Sequence, residues 1–212
     1  MKIAILGGSF NPVHNGHLSL AENVYLELGF DRIIFFPAYI SPFKQNAQTV
    51  SAPHRLAMLE AATQDNPHFA VDDFELKRKE ISYTIDTVRY CYERYLIDGK
   101  LGLIIGADLL ENFYAWKDAE TLLALTDLIV GNRPAKTMVE NGKKITVKTT
   151  KKTSEAMPQQ KSVPPFIQLQ NETLQISSTY IRTAIAQNKA WRYLVQNSTY
   201  RYIRENGLYK NE

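Results

Sequence analysis

The sequence predicts an α/β fold, a single domain built on a doubly wound parallel sheet with helices on both faces. Three observations predict it. Short β-rich apolar runs alternate with longer segments of helical period. The 212 residues are 44% hydrophobic and 22% charged, enough apolar material for one substantial core. The loops that follow the candidate strands carry glycine or polar residues, as expected where ligands sit beyond the carboxyl ends of parallel strands.

The first strand is predicted from Lys2 to Leu6, an apolar run that stops at Gly7-Gly8. A helix follows, with Leu18, Ala21, Tyr25 and Leu28 on one face. Arg32 to Phe36 forms the second strand. Ser51 and Pro53 suit the start of a second helix running through Leu59. Phe69 to Phe74 is the third strand, and Thr84 is placed to cap a third helix through Tyr95. Strands from Leu101 to Ile105, Asp127 to Val130 and about Phe166 to Leu169 complete the sheet, with a helical portion from about 178 to 212. The four ligand-facing loops are then Gly7 to His17, Pro37 to Lys44, Gly106 to Asp108, and Gly131 to Arg133. Between Lys136 and Pro165 the chain is rich in Lys, Thr and Gln, and a solvated loop or edge hairpin is expected there.

Bulk properties narrow the function. The 25 basic and 22 acidic residues leave a formal charge of +3, too near balance to point to nucleic acid or membrane. Glu140 and Glu155 interrupt the Lys-rich stretch, and no aromatics are interleaved there for base stacking. The lone cysteine, Cys91, cannot form an internal disulfide and is expected to be buried filler. The apolar run at the N-terminus is too short for a signal peptide, and no stretch reaches the length of a membrane span, so the protein is expected in the cytoplasm. A homo-oligomer is left open.

Two segments carry chemistry. After the first strand, Gly7-Gly8-Ser9-Phe10-Asn11-Pro12 leads to His14-Asn15-Gly16-His17. Glycine lets the backbone approach a ligand, although a glycine pair alone is weak evidence. The two imidazoles flank Gly16 at a helix opening, where unpaired amides and the helix dipole attract anions, so both could donate to one phosphate as charge builds on it. Packing or capping is the plain alternative, and a metal site would need further ligands at suitable spacing. Near the C-terminus, Ile176-Ser177-Ser178-Thr179-Tyr180-Ile181-Arg182 joins successive hydroxyls at a helix start to an arginine one turn beyond Ser178. A capped surface helix would explain this segment alone. Two phosphate-suited helix starts past the strand ends of one sheet can instead share a crevice.

With these motifs the chain resembles the nucleotidyltransferases marked by an early H-x-G-H and a late I-S-S-T-x-x-R, and in particular the nicotinic acid mononucleotide adenylyltransferase family. The likeness runs from GGSFNPVHNGHL (Gly7 to Leu18) through SYTIDT (Ser82 to Thr87), IIGADLLENFYAW (Ile104 to Trp116) and NRP (Asn132 to Pro134) to ISSTYIR and the closing YIRENGLY (Tyr202 to Tyr209). Departures are Val13 for a second proline, Ser41-Pro42-Phe43-Lys44 for Pro-Pro-His-Lys, and Ala135 for a common glycine.

The resemblance implies a Rossmann-like single domain and attack by the mononucleotide phosphate on the α-phosphorus of ATP, with Mg²⁺ accompanying ATP and pyrophosphate leaving. It implies His14, His17 and Arg182 as catalytic groups. ATP would be held by these and by Gly8, Ser9, Phe10, Gly106, Asp108, Arg133, Ser178 and Thr179, with Asp108 at the ribose or capping the next helix. The mononucleotide would meet Lys44, Thr84 and Trp116, the indole stacking on the pyridine, although Leu109, Phe113 and Trp116 also have the spacing of a core stripe. Nicotinamide mononucleotide or phosphopantetheine as acceptor, or a non-catalytic nucleotide or RNA binder using Lys143 to Lys161, are the alternatives.

Overall fold

In the computed structural model, residues 1–42, 49–131, 137–140, 143–146, 163–170 and 174–210 are described. The strands are β1 (Ile3–Gly8), β2 (Arg32–Pro37), β3 (Phe69–Val71), β4 (Leu101–Gly106), β5 (Thr126–Gly131), β6 (Thr137–Glu140), β7 (Lys143–Thr146) and β8 (Ile167–Gln168). The helices are α1 (Asn15–Leu28), α2 (Ala52–Thr63), α3 (Phe74–Arg78), α4 (Thr84–Arg94), α5 (Ala107–Leu110), α6 (Ala119–Leu125), α7 (Ser178–Ala186) and α8 (Asn197–Glu205). Short 3₁₀ turns cover Phe113–Ala115 and Arg192–Leu194.

Six strands form one sheet in the order β3-β2-β1-β4-β5-β8, every pairing parallel. This is a Rossmann-like order. β1 is central, with Leu6 opposite Phe35 on one side and Ile104 on the other. The strand order reverses there, since β2 and β3 run outward on one side of β1 and β4, β5 and β8 on the other; such a switch point leaves a crevice at the strands' carboxyl ends.

Both faces of the sheet are covered, which is why its strands are continuously apolar rather than alternating with polar residues. Ala4 and Leu6 of β1 pack with Leu18, Ala21 and Val24 of α1, Met58 and Leu59 of α2, Ile181 of α7 and Ile203 of α8. Ile3 and Ile5 point the other way, to Ile85, Val88 and Cys91 of α4 and Leu122 of α6. β6 and β7 pair antiparallel as a separate two-stranded ribbon within the Lys-rich stretch, where a solvated loop or edge hairpin is expected; the ribbon is not joined to the edge of the main sheet. Among the described residues no helix is long and apolar enough to cross a membrane.

Three expectations need correction. The third strand ends at Val71, because Asp72 Oδ1 accepts the Phe74 amide at 2.9 Å and starts the short α3 there. Thr84 does not cap α4. It is the first helical residue, and the N-cap position falls to Tyr83. Asp108 likewise lies inside α5, whose N-cap is Gly106.

Candidate active site

β1 delivers the chain to the crevice, and the next six residues turn it into α1. Phe10 takes a positive φ of 45°, a conformation that a non-glycine residue holds only where its surroundings over-determine it. Its ring supplies that hold. It is 2% exposed, edge-on to Phe35 at 5.9 Å and to His17 at 5.1 Å. The Phe10 ring therefore supports the loop from beneath, while Gly8 and Ser9 stay half-buried at the strand end.

His14 is the N-cap of α1 and His17 its third residue. The two rings stack at 3.7 Å with 24° between planes, and the His14 amide donates to His17 Nδ1 at 3.2 Å. Gly16 makes the stack possible. A Cβ there would meet the His14 ring at 3.1 Å and the Cβ of Ile176 at 3.8 Å. Ile176 opens the second motif, so a methyl added at Gly16 would lie against residues of both motifs.

Further bonds join them. Ser177 caps α7 by accepting the Tyr180 amide at 3.1 Å. The Ser178 hydroxyl donates to the Pro12 carbonyl at 2.8 Å, and Arg182 donates from Nη1 to the Asn11 carbonyl at 2.8 Å and from Nη2 to Thr179 Oγ1 at 3.3 Å. Neither α1 nor α7 has an acidic residue in its first turn, so nothing on either helix start opposes a bound anion. The structure thus gathers His14, His17, Ser178, Thr179 and Arg182 around one loop, next to Gly8, Ser9 and Phe10.

The other described candidates lie at the ends of β2 and β4 and on the segments that follow them. β4 passes Ile104, opposite Leu6, and ends at Gly106, with Asp108 exposed in the first turn of α5. Residues 39 and 40, the described exit of β2, join the SYTIDT segment. Ile40 bridges to Ile81, the Ser82 amide donates to the Ile40 carbonyl at 2.9 Å, and the Tyr39 amide donates to Ser82 Oγ at 3.0 Å. Thr84 follows directly.

Trp116 lies just past the 3₁₀ turn, half-buried and stacked on Phe113 at 5.2 Å. Its neighbour Lys117 sits 4.5 Å over the Tyr83 ring and 3.5 Å from Asp86, which brings the indole's segment beside that of Thr84. The core-stripe reading of Leu109, Phe113 and Trp116 holds in part, since all three pack on the second-face core. Lys44 and Arg133 lie outside the described residues.

Sequence reasoning missed a buried cation. Arg55 of α2 is 2% exposed, and its guanidinium donates to the carbonyls of Ser9 at 2.8 Å, Ala38 at 2.6 Å and Tyr39 at 3.4 Å. It binds the β1 exit to the β2 exit. Burial lowers its pKa, opposed by the negative charge of Glu75, whose own carboxyl is pushed above the ordinary range chiefly by burial while Thr87 donates to it at 2.6 Å. The signal was present: Arg55, Met58 and Leu59 share a helix face, so a charge stood on an apolar stripe.

Among the described residues no group of three or more His, Cys, Asp or Glu is placed to hold a metal ion. The site is instead one of N–H and O–H donors around two helix openings, suited to a polyphosphate.

Comparison with known proteins places the chain in a family. Residues 5–184 match the family model described as cytidylyltransferase-like. A protein of Treponema pallidum (strain Nichols), named a probable nicotinate-nucleotide adenylyltransferase, is 38% identical over 213 residues, covering all of both chains. The nicotinate-nucleotide adenylyltransferase of Bacillus subtilis (strain 168) is 44% identical over 133 residues, 63% of this chain and 70% of its own. A solved structure of the Plasmodium falciparum nicotinic acid mononucleotide adenylyltransferase complexed with NaAD superposes with a TM-score of 0.68 at 17% identity, covering 98% of this chain and 97% of that one.

Proposed function

This chain belongs to the cytidylyltransferase-like family and, within it, to the nicotinate-nucleotide adenylyltransferases; from that membership we propose that it transfers AMP from ATP to nicotinic acid mononucleotide, forming deamido-NAD and pyrophosphate in NAD biosynthesis. One observation supports the reading on this chain's own residues. Ser178 and Arg182 bond to Pro12 and Asn11, the loop that leads to the stacked imidazoles, so both phosphate-suited helix openings meet at one loop.

The chemistry asks little of a nucleophile. A mononucleotide phosphate oxygen, already ionised at neutral pH, bonds to the α-phosphorus of ATP as the bond to pyrophosphate breaks. The protein has to align two polyanions and stabilise charge on the oxygens between them. His14 and His17 are assigned to that role, with the α1 amides behind them. Ser178, Thr179 and Arg182 hold the departing pyrophosphate side, and Arg182 offers a planar fork of donors. Gly106 and Asp108 are assigned to the nucleoside, and Arg133 to the adenine or the phosphates.

Lys44, Thr84 and Trp116 are assigned to the acceptor. The packing of Trp116 on Phe113 fixes the indole plane, which favours stacking on a pyridine. The donor set fits Mg²⁺ that arrives on the triphosphate, because N–H and O–H groups leave phosphate oxygens to hold the ion, which when bound supplies charge neutralisation. This reading places the enzyme in the cytoplasm, working on small molecules rather than nucleic acid, in keeping with its near-balanced charge and single cysteine.

The test is acceptor competition. Purified protein with ATP and Mg²⁺ should release pyrophosphate most efficiently with nicotinic acid mononucleotide. A higher kcat/KM with nicotinamide mononucleotide or phosphopantetheine would reassign the acceptor, and binding without pyrophosphate release would make the protein a nucleotide binder.

A further inference from the structure

We propose that Tyr209 is a positioning residue for this reaction, its hydroxyl acting through Asn11 on the loop from which His14, His17 and Arg182 are aimed. The proposal rests on the adenylyltransferase reading and gives a role to the closing YIRENGLY segment, to which no substrate contact is assigned. Tyr209 donates to Asn11 Oδ1 at 2.8 Å, across 198 residues of sequence. The same oxygen accepts the Val50 amide at 3.3 Å, at the entrance to α2, while the Asn11 carbonyl accepts Arg182. Asn11 thus joins the C-terminal segment, the approach to α2, and the arginine of α7.

Burial makes this junction stiff. Asn11 is 3% exposed, and a hydrogen bond made away from water is electrostatically stronger and costly to break. Two positions past Asn11 the chain reaches Val13, 1% exposed, and then His14, so a turn of the Asn11 amide plane passes directly to the imidazole stack.

The C-terminal chain is shaped to make the contact. After α8 it reverses through Gly207, at φ 61°, and Tyr209 itself holds φ 62°. A tyrosine remains in the left-handed region only where its contacts keep it there. Its ring packs on the first-face core, which leaves the hydroxyl as the part specific to Asn11. Burial pushes the phenol above its ordinary pKa, against the pull of Arg182 and Arg55, and so keeps it a donor at neutral and mildly alkaline pH.

The experiment compares full-length Tyr209→Phe with the wild type. The variant keeps the ring and loses the hydroxyl. Its kcat should fall roughly 10- to 100-fold, the scale of a small misplacement of reacting groups, with KM for the mononucleotide within about twofold. Nuclear magnetic resonance of the imidazole Cε1 protons supplies a readout independent of turnover: at fixed pH the resonances of His14 and His17 should move while that of His68, which bonds to Tyr25, stays. Unchanged kcat with unchanged His14 and His17 resonances would overturn the proposal. So would a general change in which the His68 resonance and KM shift together, since that is loss of packing. A wild type without turnover would instead remove the adenylyltransferase reading, and the imidazole resonances would still decide whether Tyr209 sets the loop.

Discussion

Arg182 reaches back 171 residues to the carbonyl of Asn11, at 2.8 Å, and in doing so makes one site out of two distant motifs. That bond takes one donor from the guanidinium and leaves others for phosphate. Arg182→Lys should therefore keep the charge and lose the geometry. We expect kcat to drop about 100-fold, as when one preorganised donor is removed from a charge-stabilising site, with the thermal midpoint barely changed because Arg182 is only half-buried. Steady-state kinetics beside thermal unfolding checks this.

Gly16 sets the room available to the imidazoles. In Gly16→Ala the new methyl would press on the His14 ring at 3.1 Å and tilt it out of the stack. We expect kcat to fall roughly tenfold or more, since a small displacement of reacting groups is costly. ATP binding measured by calorimetry should change much less.

Arg55→Met tests the buried clamp. It removes the donors that hold the carbonyls of Ser9, Ala38 and Tyr39 and takes a positive charge away from Glu75. Destabilisation of about 3 kcal/mol is expected from an uncompensated buried group, read as a shift of the urea midpoint.

Glu75 makes stability depend on pH with a definite sign. Its folded carboxyl has a raised pKa, so the native state binds its proton more tightly than the unfolded chain. Its contribution to stability must then fall as pH rises from the ordinary carboxylate value of 4.5 toward the raised folded value, and level off beyond it. Glu75→Gln keeps an acceptor for Thr87 and removes the ionisation. The difference in thermal midpoint between variant and wild type should accordingly swing in the variant's favour across that window, and a constant difference would contradict the assignment.

Cys91 is buried on α4, and burial drives its thiol up to about 12. Thiolate is the reactive form. At pH 8 a disulfide reagent should label Cys91 no faster than the protein unfolds, and labelling should follow the unfolding rate in denaturant.

Much of the architecture could be read from local pattern because it is local in origin. Ile3, Ala4, Ile5 and Leu6 form a continuously apolar run since α1 and α2 cover one side of β1 and α4 the other. The errors were local too. Phe74 resembles a strand end by residue type, but Asp72 accepts its amide and turns the chain into α3. Thr84 has a capping hydroxyl, yet Tyr83 takes the extended conformation that marks the cap.

In the site, loop positions followed from strand ends, whereas partners did not. Nothing near Asn11 indicates that Arg182 and Tyr209 converge on it, because those contacts are fixed by tertiary packing. Arg55 could have been found as a charge on an apolar face, but its acceptors, main-chain carbonyls from two strand exits, leave no mark in side-chain identity.

The junction at Asn11 also orders events during synthesis. Its loop leaves the ribosome early, but its bonds come from Arg182 and from Tyr209, 171 and 198 residues further on. Long-range contacts of this kind form last. A nascent polypeptide stalled before α8 can carry every strand of the sheet and still lack the bond by which Tyr209 holds the Asn11 loop.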